Sequence, residues 1–218
     1  MKERGMIFNG EMVRAILDGR KTQTRRIMKV QPEPSKSRLG DFWFSSKKLE
    51  SMVHVSDLVP GNSPIADCHL FFQEHCCPFG AVGDRIWVRE TWAEAGSGAP
   101  DLKLYRANYP EHVPTHYENV PPANEIRWTP SIHMPRWASR LTLEITGVRV
   151  ERLASVSDDD AGKEGYPANP APYGGDMDKW LWFRQLWDSI YPNQSFKHNP
   201  WVWVIEFRRI EGDDHETD

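Results

Sequence analysis

The stretch Gly19-Arg20-Lys21-Thr22-Gln23-Thr24-Arg25-Arg26 joins a predicted helix to a predicted strand. Apolar residues recur at helical spacing before this stretch and predict a short amphipathic helix between Gly10 and Gly19. Gly19 is typical of the residue that stops a helix. A strand is predicted from Thr24 to Val30, so the residues between the two elements form a turn.

The charges in this turn make Lys21 a candidate general base. An amine that lies near Arg20 and Arg26 has its protonated form disfavoured, which lowers the pKa of Lys21. A tight turn also allows Lys21 to contact Thr24, whose hydroxyl such an amine could deprotonate. The same residues fit a solvated basic turn that contacts phosphate equally well, because runs of Lys and Arg usually lie at the surface.

The rest of the chain continues with further strands and helices. The predicted strands are Asp84–Trp92, Arg140–Leu153 and Trp201–Arg209, and the predicted helices are Ser157–Glu164 and Asp176–Ile190. Gly147 shifts the alternation within the second of these strands, which indicates a bulge or a tight turn. We therefore predict a single mixed α+β domain over residues 1–218, whose first and last elements are neighbours.

Two segments lack a sustained apolar period and are predicted to be loop-rich insertions. The first spans about residues 31–76 and is rich in Ser, Pro, Gly and Lys up to residue 66. The second spans about residues 93–135 and is rich in Pro, Gly and Ala. Residues 211–218 form an acidic segment that we expect to be a solvated, frayed tail.

The composition excludes several classes of protein. Hydrophobic residues make up 39% of the chain and charged residues 27%, which excludes a disordered chain. The longest apolar run, Trp201–Ile205, is five residues long, whereas a membrane-spanning helix needs about 20. We find no pattern for export, and three clustered cysteines fit a reducing compartment. A cytoplasmic protein without membrane contact or disulfides is predicted.

Charge is distributed unevenly along the chain. The net charge is -4, yet residues 1–30 carry eight basic and three acidic side chains, so this part has a net charge of +5. A basic patch on an acidic protein indicates a localised anionic partner rather than general phosphate binding.

The pattern Gly-x-Lys-x-x-Thr-x-Arg carries a resemblance to a known family. It is present at Gly19, Lys21, Thr24 and Arg26, after a short amphipathic helix. Further matching features are Gly83-Asp84 followed by the strand 86–90, a helix that ends in Glu164-Gly165, and the terminal strand 202–207. Together these features, over about residues 5–30, 78–92 and 136–209, resemble the ASCH domain family of the PUA-like superfamily, and the chain is similar to its longer bacterial and phage members.

The resemblance implies a fold and an activity. The family fold is a small mixed β-barrel with short flanking helices, and members of the family are implicated in RNA binding. One bacterial branch hydrolyses N4-acetylcytidine to cytidine and acetate without a cofactor. Carried over by motif, the resemblance implies that Lys21 is the base, Thr24 the nucleophile and Glu164 the proton donor. A hydrolase of a modified, N4-acylated cytidine nucleoside is therefore the first functional expectation.

Other charged residues are expected to contact the substrate or a nucleic acid. Arg26 is expected to orient Glu164 or to stabilise the oxyanion. Arg89 and Glu90 share a predicted strand, where an internal ion pair is the more common arrangement. His133 either lines the pocket or is a hydrogen-bonded structural histidine. The complete set of expected binding residues is Arg20, Arg25, Arg26, Arg89, Glu90, His133 and Arg136.

Two other functions and one metal site remain open from the sequence. An RNA-binding or RNA-cleaving module could use the same basic cleft, and a phage accessory protein could bind a protein partner through the insertions. Five soft ligand residues lie close together at Cys68, His69, His75, Cys76 and Cys77. Their spacing lacks the two paired knuckles of common zinc sites, so ordinary buried cysteines and no metal are expected. The sequence indicates no oligomeric state.

Overall fold

The computed structural model of the protein describes residues 1–62, 65, 67–117, 119–169 and 177–210. This part of the chain has a mixed α+β architecture. Its helices are α1 (Gly10–Leu17), α2 (Cys68–Cys76), α3 (Asp158–Lys163) and α4 (Asp178–Ile190). Its strands are β1 (Glu3–Ile7), β2 (Gln23–Ile27), β3 (Glu33–Pro34), β4 (Phe42–Ser46), β5 (Ser51–His54), β6 (Arg85–Arg89), β7 (Trp92–Glu94), β8 (Lys103–Tyr105), β9 (Thr142–Arg152) and β10 (Trp201–Ile210).

The main sheet has five strands in the order β1-β6-β9-β10-β2. β1 and β6 are parallel, and the other neighbouring strands are antiparallel. β10 lies between β9 and β2, so the last strand pairs with the strand that follows α1, whereas β1 lies at the other end of the sheet order. Among the described residues, no helix is both long and apolar enough to cross a membrane.

Alternate residues of β10 face the two sides of the main sheet. The side chains on one face, which belong to the larger hydrophobic core, are Trp203, Ile205 and Phe207. The side chains on the other face, which pack with α3 and α4, are Val202 and Val204. The sheet is therefore covered on both sides at β10, which explains why this strand is apolar at successive positions.

The strand β9 runs without interruption through Gly147, so this glycine does not separate two strands. Its pairing with β10 shifts between Glu206 and Phe207, where Gly147 and Ile145 are the respective partners. The bulge alternative is therefore correct, and the tight turn is wrong. A Cβ atom at Gly147 would lie 2.8 Å from Glu206 Oε2, so the Glu206 side chain lies close to Gly147 at the bulge.

The insertions contain regular structure that the sequence did not predict. In the first insertion, β3, β4 and β5 form a three-stranded sheet, and α2 follows it. Its buried residues Phe44, Val53 and Leu58 join the larger core of the main sheet. In the second insertion, β8 pairs with β7 in a two-stranded sheet. These strands have two to five residues, which is too short for an apolar period to show.

The strand β1 was also missing from the predictions. Met6 is the one buried residue of β1, so apolar and polar residues do not alternate along this strand as they would in a half-buried strand. The helix predicted from Ser157 is confirmed, because the Ser157 side chain accepts a hydrogen bond from Asp160 N and caps α3. The predicted start of the last helix, Asp176, and the predicted acidic tail, 211–218, lie outside the described residues.

We expect Gly165→Ala to destabilise the protein more than Gly83→Ala. Both glycines have a positive φ, 105° and 86°, so an added Cβ costs each about 1–2 kcal/mol. At Gly165 that Cβ would also lie 2.9 Å from Ala15 Cβ and 3.3 Å from Lys21 Cβ, whereas at Gly83 no atom of the described residues lies within 4 Å. Overpacking adds about 1–3 kcal/mol. Urea unfolding measures the loss of unfolding free energy in each variant. Equal losses in the two variants would contradict the packing of Gly165 against Ala15 and Lys21.

Candidate active site

Backbone contacts bring the end of α3 to the start of β2. Lys21 N donates to Ala15 O at 2.9 Å, which ties the turn to α1. Thr22 N donates to Lys163 O at 3.0 Å, and Lys21 and Glu164 form an isolated antiparallel bridge. Gly165 follows with a φ of 105° and ends α3 at this point. Two segments 143 residues apart in sequence are thus held side by side.

Three charged side chains form a buried cluster at this junction, which we call the Lys21 cluster: Lys21, Arg25 and Glu164. Lys21 Nζ donates to Glu164 Oε2 at 2.9 Å and to Glu164 O at 2.8 Å. Arg25 Nη1 donates to the other carboxylate oxygen, Oε1, at 3.0 Å. The side chains of Lys21 and Arg25 have no exposed area, and that of Glu164 is 3% exposed. One carboxylate therefore holds two cations away from water.

Burial is the main influence on the amine of Lys21. It disfavours the charged form and lowers the pKa of Lys21, and the charge and hydrogen bond of Glu164 act in the opposite direction. The positive charges of Arg26 and Arg25 lower this pKa further, and the net direction is downward. The predicted direction is confirmed, although burial rather than the arginines is its main cause. The neutral, basic form of Lys21 is therefore more accessible than in an exposed lysine.

A second layer of charges surrounds Arg25. Arg25 Nη2 donates to Glu151 Oε2 at 3.3 Å and to Asp160 Oδ2 at 3.5 Å. Arg149 Nη2 donates to the same Asp160 oxygen at 2.9 Å and also pairs with Glu151 and Glu206. This network joins α3 to β2, β9 and β10, so the position of Glu164 is fixed from several sides.

A cavity of about 220 Å³ lies next to the Lys21 cluster, and Glu164 is part of its wall. Arg14 and Arg20 contribute positive charge to this cavity, and Trp182 contributes an aromatic ring. Trp182 packs edge-on against Tyr166, with ring centroids 5.6 Å apart. Glu164 therefore contacts the buried amine of Lys21 and also forms part of the wall of this cavity.

Thr24 lies on the opposite face of β2 from Arg25. In the pairing of β2 with β10, Thr24 is opposite Ile205 and Arg25 is opposite Val204. Directly opposite residues share a face, so Thr24 faces the larger core and Arg25 faces α3 and α4. Thr24 is 1% exposed, and within the described part of the chain no hydrogen bond joins it to Lys21. The structure therefore brings together Lys21 and Glu164, but not Lys21 and Thr24.

The arginines of the turn have different partners from those expected. Arg25, rather than Arg26, binds Glu164. Arg26 Nη2 donates to Ile7 O at 2.9 Å, and its guanidinium lies 5.4 Å from the centre of the Phe8 ring. The expectation that Arg26 orients Glu164 is wrong, because Arg26 shares the face of Thr24.

Arg20 is held by its neighbours at the edge of the cavity. It pairs with Asp18 at 2.7 Å and donates to the carbonyl oxygens of Gly165 and Tyr166 at 3.2 and 2.7 Å. It is not among the groups that shift the pKa of Lys21. Arg20 therefore positions the segment after α3 and contributes charge to the cavity wall.

The remaining expected binding residues lie elsewhere in the molecule. Glu90 is buried and pairs with Arg140 at 2.9 Å, so the predicted pair with Arg89 is wrong. Burial raises the pKa of Glu90, and its hydrogen bond with Arg140 counteracts this. Arg89 lies over the Trp87 ring and donates to the carbonyl of Ile132.

His133 and Arg136 are on short turns between β8 and β9. His133 is exposed, and Arg136 pairs with Glu3 at 3.0 Å. Neither residue contributes to the cavity wall beside Glu164. The expectation that they line the substrate pocket is therefore wrong for this cavity.

The clustered cysteines and histidines do not converge on one point. Cys68, His69, His75 and Cys76 lie on α2, and Cys77 follows directly. His75 stacks on Phe71 with ring centroids 4.3 Å apart. Burial raises the pKa of the Cys77 thiol to about 12. Among the described residues, no group of three such side chains is arranged to hold a metal ion.

Sequence reasoning missed the residues of the second layer and one wall of the cavity. Arg149 and Glu151 are two apart on β9 and thus share a face, which is a signal that alternation could have shown. Asp160 lies in the first turn of α3, where acidic residues are common, so its position gives no signal of a contact with Arg25. Arg14 is an exposed residue of α1, and Trp182 packs against the hydrophobic cluster of α3 and α4, so neither gives a signal of a cavity by itself.

Comparisons with known proteins do not assign the chain to a family. No family model matches it, and no curated protein or solved structure is significantly similar to it.

We expect Asp160→Asn to destabilise the protein at pH 7 by about 1–3 kcal/mol, the value typical of charge-assisted hydrogen bonds. Burial alone raises the pKa of Asp160, but the Lys163 hydrogen bond and the charges of Arg149 and Arg25 outweigh it and lower the pKa. A lowered folded-state pKa stabilises the protein above the unfolded pKa, and this stabilisation is lost as pH falls through the folded pKa.

The difference between wild type and Asp160→Asn should therefore shrink below about pH 3.9, the ordinary pKa of an aspartate. Urea unfolding of both proteins at a series of pH values, from pH 7 down to acidic pH, measures this difference in the free energy of unfolding. Asp159→Asn is the matched control, because Asp159 is in the same helix turn and its side chain is 89% exposed. A difference that is constant with pH, or equal in the two variants, would show that Asp160 is not held by these cations.

Proposed function

We propose that the protein hydrolyses the amide bond of an N4-acylated cytidine nucleoside, with Lys21 as base and Glu164 as proton donor. The nucleophile is Thr24, as the sequence resemblance implies, or a water molecule in the cavity. The observation that carries the proposal is the contact between Lys21 Nζ and Glu164 Oε2 at 2.9 Å. The sequence resemblance assigned roles in one reaction to these two residues, although they are 143 residues apart. The contact between Lys21 and Glu164 in the structure supports a shared role.

The acid–base chemistry of the pair fits amide hydrolysis. The nucleophile loses a proton to Lys21 as it attacks the acyl carbon, and the C–N4 bond breaks when Glu164 delivers a proton to N4. Water then releases the acyl group as a carboxylic acid. Because Lys21 and Glu164 are hydrogen-bonded, the proton taken by the amine is next to the carboxylate that must deliver one. The lowered pKa of Lys21 makes the amine available as a base.

The cavity beside Glu164 is suited to a pyrimidine. Its volume of about 220 Å³ and the ring of Trp182 offer space and an apolar surface for a planar base. Arg14 and Arg20 in its wall are donors that a carbonyl oxygen of the base or of the acyl group can accept from. Glu164 is the wall residue that would deliver the proton to the leaving nitrogen, N4.

The assignment of Thr24 depends on the sequence resemblance alone. Thr24 faces the larger core, on the opposite side of β2 from the partners of Glu164. Thr24 can be the nucleophile only if its hydroxyl reaches the acyl group from the core side of β2. Otherwise a water molecule in the cavity is the nucleophile. The variants below distinguish these two nucleophiles.

We also propose that the main sheet is the PUA-like mixed β-barrel that the sequence resemblance implies. The support is a contact between the two strands at the ends of the sheet order. Arg26 of β2 donates to Ile7 O of β1 at 2.9 Å and lies over the Phe8 ring that follows. The sheet is therefore curved enough to bring its end strands into side-chain contact.

We expect purified wild-type protein to release cytidine from N4-acetylcytidine, followed by the change in absorbance of the base. Lys21→Met and Glu164→Gln should each lower kcat by at least about 100-fold, the usual contribution of a general acid or base. Both substitutions keep the size of the side chain, so the cavity is preserved. Thr24→Val should abolish turnover if Thr24 is the nucleophile, and leave most of it if water is.

Asp84→Asn is the matched control for Glu164→Gln. Asp84 is a buried carboxylate that pairs with Arg4 at 3.3 Å, at the other end of the sheet from the Lys21 cluster. This variant should retain wild-type turnover, and circular dichroism checks that every variant is folded. Absence of turnover in the wild type rejects the proposal for this substrate. Equal turnover in wild type and folded Glu164→Gln rejects the role of Glu164.

A further inference from the structure

A second cavity, which we call the insertion pocket, lies where the first insertion meets the main sheet. Its volume is about 470 Å³, within the range of about 300–1,000 Å³ that is common for ligand sites. Its walls come from the end of β2 and the residues after it, from β4 and the turn after it, and from the segment after α2. It shares no wall residue with the cavity beside Glu164.

The insertion pocket is basic, although the chain as a whole has a net charge of -4. Its charged wall residues are Arg4, Lys29, Lys47 and Lys48, and none of the described residues that line it is acidic. Arg4 pairs with Asp84 at 3.3 Å, and Lys48 Nζ donates to the carbonyl of Glu74 at 3.1 Å.

Two of these charges are not balanced by carboxylates. Lys29 and Lys47 are exposed, and in the described part of the chain neither forms an ion pair. They approach the pocket from different elements, Lys29 after β2 and Lys47 after β4. An anion in the pocket would therefore be contacted by ammonium groups from two sides.

The inner wall of the insertion pocket is aromatic. Phe44 and Trp203 pack at 89° with ring centroids 6.2 Å apart and form a buried floor. Phe79 is half-buried and Val30 is 42% exposed, so both present apolar surface above this floor. The ligand that fits must combine an anionic group with a flat apolar part.

We propose that the insertion pocket binds one nucleotide of a single-stranded nucleic acid, with the base against Phe79 and the neighbouring phosphates at Lys29 and Lys47. Stacking on aromatic rings and lysine contacts to the backbone are the two interactions by which single strands are bound without sequence preference. A duplex does not fit, because its bases are stacked inside and cannot enter a concave pocket. The first insertion contributes Lys47 and part of the wall of this pocket, which gives that insertion a function in binding.

The test is fluorescence anisotropy of labelled single-stranded RNA and DNA of about ten nucleotides, a length within the usual site sizes. The variants are Lys29→Glu/Lys47→Glu, which reverses the unpaired charges, and Phe79→Ala, which removes the aromatic wall. The charge reversal should weaken binding at least about tenfold and, because it removes two phosphate contacts, reduce the slope of log affinity against log salt by about 1.4. Phe79→Ala should weaken binding about tenfold without changing that slope.

The matched control is Lys36→Glu/Lys197→Glu. It makes the same change in net charge at two exposed lysines outside the pocket, one of them in the same insertion. Equal weakening in the control and in the charge reversal overturns the proposal, as does an unchanged affinity in both pocket variants. Cytidine monophosphate is the competitor: if it binds as tightly as the oligonucleotide, the ligand is a free nucleotide and the assignment to a strand is wrong.

Binding is measured without any acylated nucleoside. A protein that fails to hydrolyse N4-acetylcytidine therefore still gives a result here, and failure of one proposal does not decide the other.

Discussion

The structure depends on the burial of three charged side chains, Lys21, Arg25 and Glu164. Removing charges from water costs several kcal/mol for each ion, so such groups are tolerated only when they are paired and hydrogen-bonded. Glu164 satisfies both cations with its two carboxylate oxygens, at 2.9 Å from Lys21 Nζ and 3.0 Å from Arg25 Nη1. Because neither cation can be left alone in the interior, the end of α3 must dock on the start of β2.

This constraint also positions the groups of the proposed reaction. The turn after α1 contributes the amine, and α3 contributes the carboxylate that forms part of the cavity wall. Arg149 and Asp160 hold α3 from the side of β9, so the carboxylate cannot move without breaking several ion pairs. The insertion pocket lies at the other end of β2, where residues after Ile27 meet the first insertion. One strand thus connects two sites of different character.

The local parts of this arrangement could be predicted from the sequence, and the long-range parts could not. Helical spacing and a glycine stop identified α1 and the turn, and a capping serine identified α3. Alternation from Lys21 onward places Arg25, not Arg26, on the side of Lys21, so that error was avoidable. The contact of Lys21 with Glu164 has no periodic signal: the resemblance assigned both residues to one reaction, and the structure shows that they touch. Regular structure in the insertions was missed because their short strands add single apolar residues to an existing core.

The most direct test of the central claim is a double-mutant cycle on the free energy of unfolding with Lys21→Met, Glu164→Gln and the double variant. Breaking a buried pair by removing one partner costs about 3–5 kcal/mol, because the other charge is left buried and alone. We predict that the double variant loses less than the sum of the single losses, by at least about 1 kcal/mol. Losses that add to within about 0.5 kcal/mol would contradict the pairing of Lys21 with Glu164.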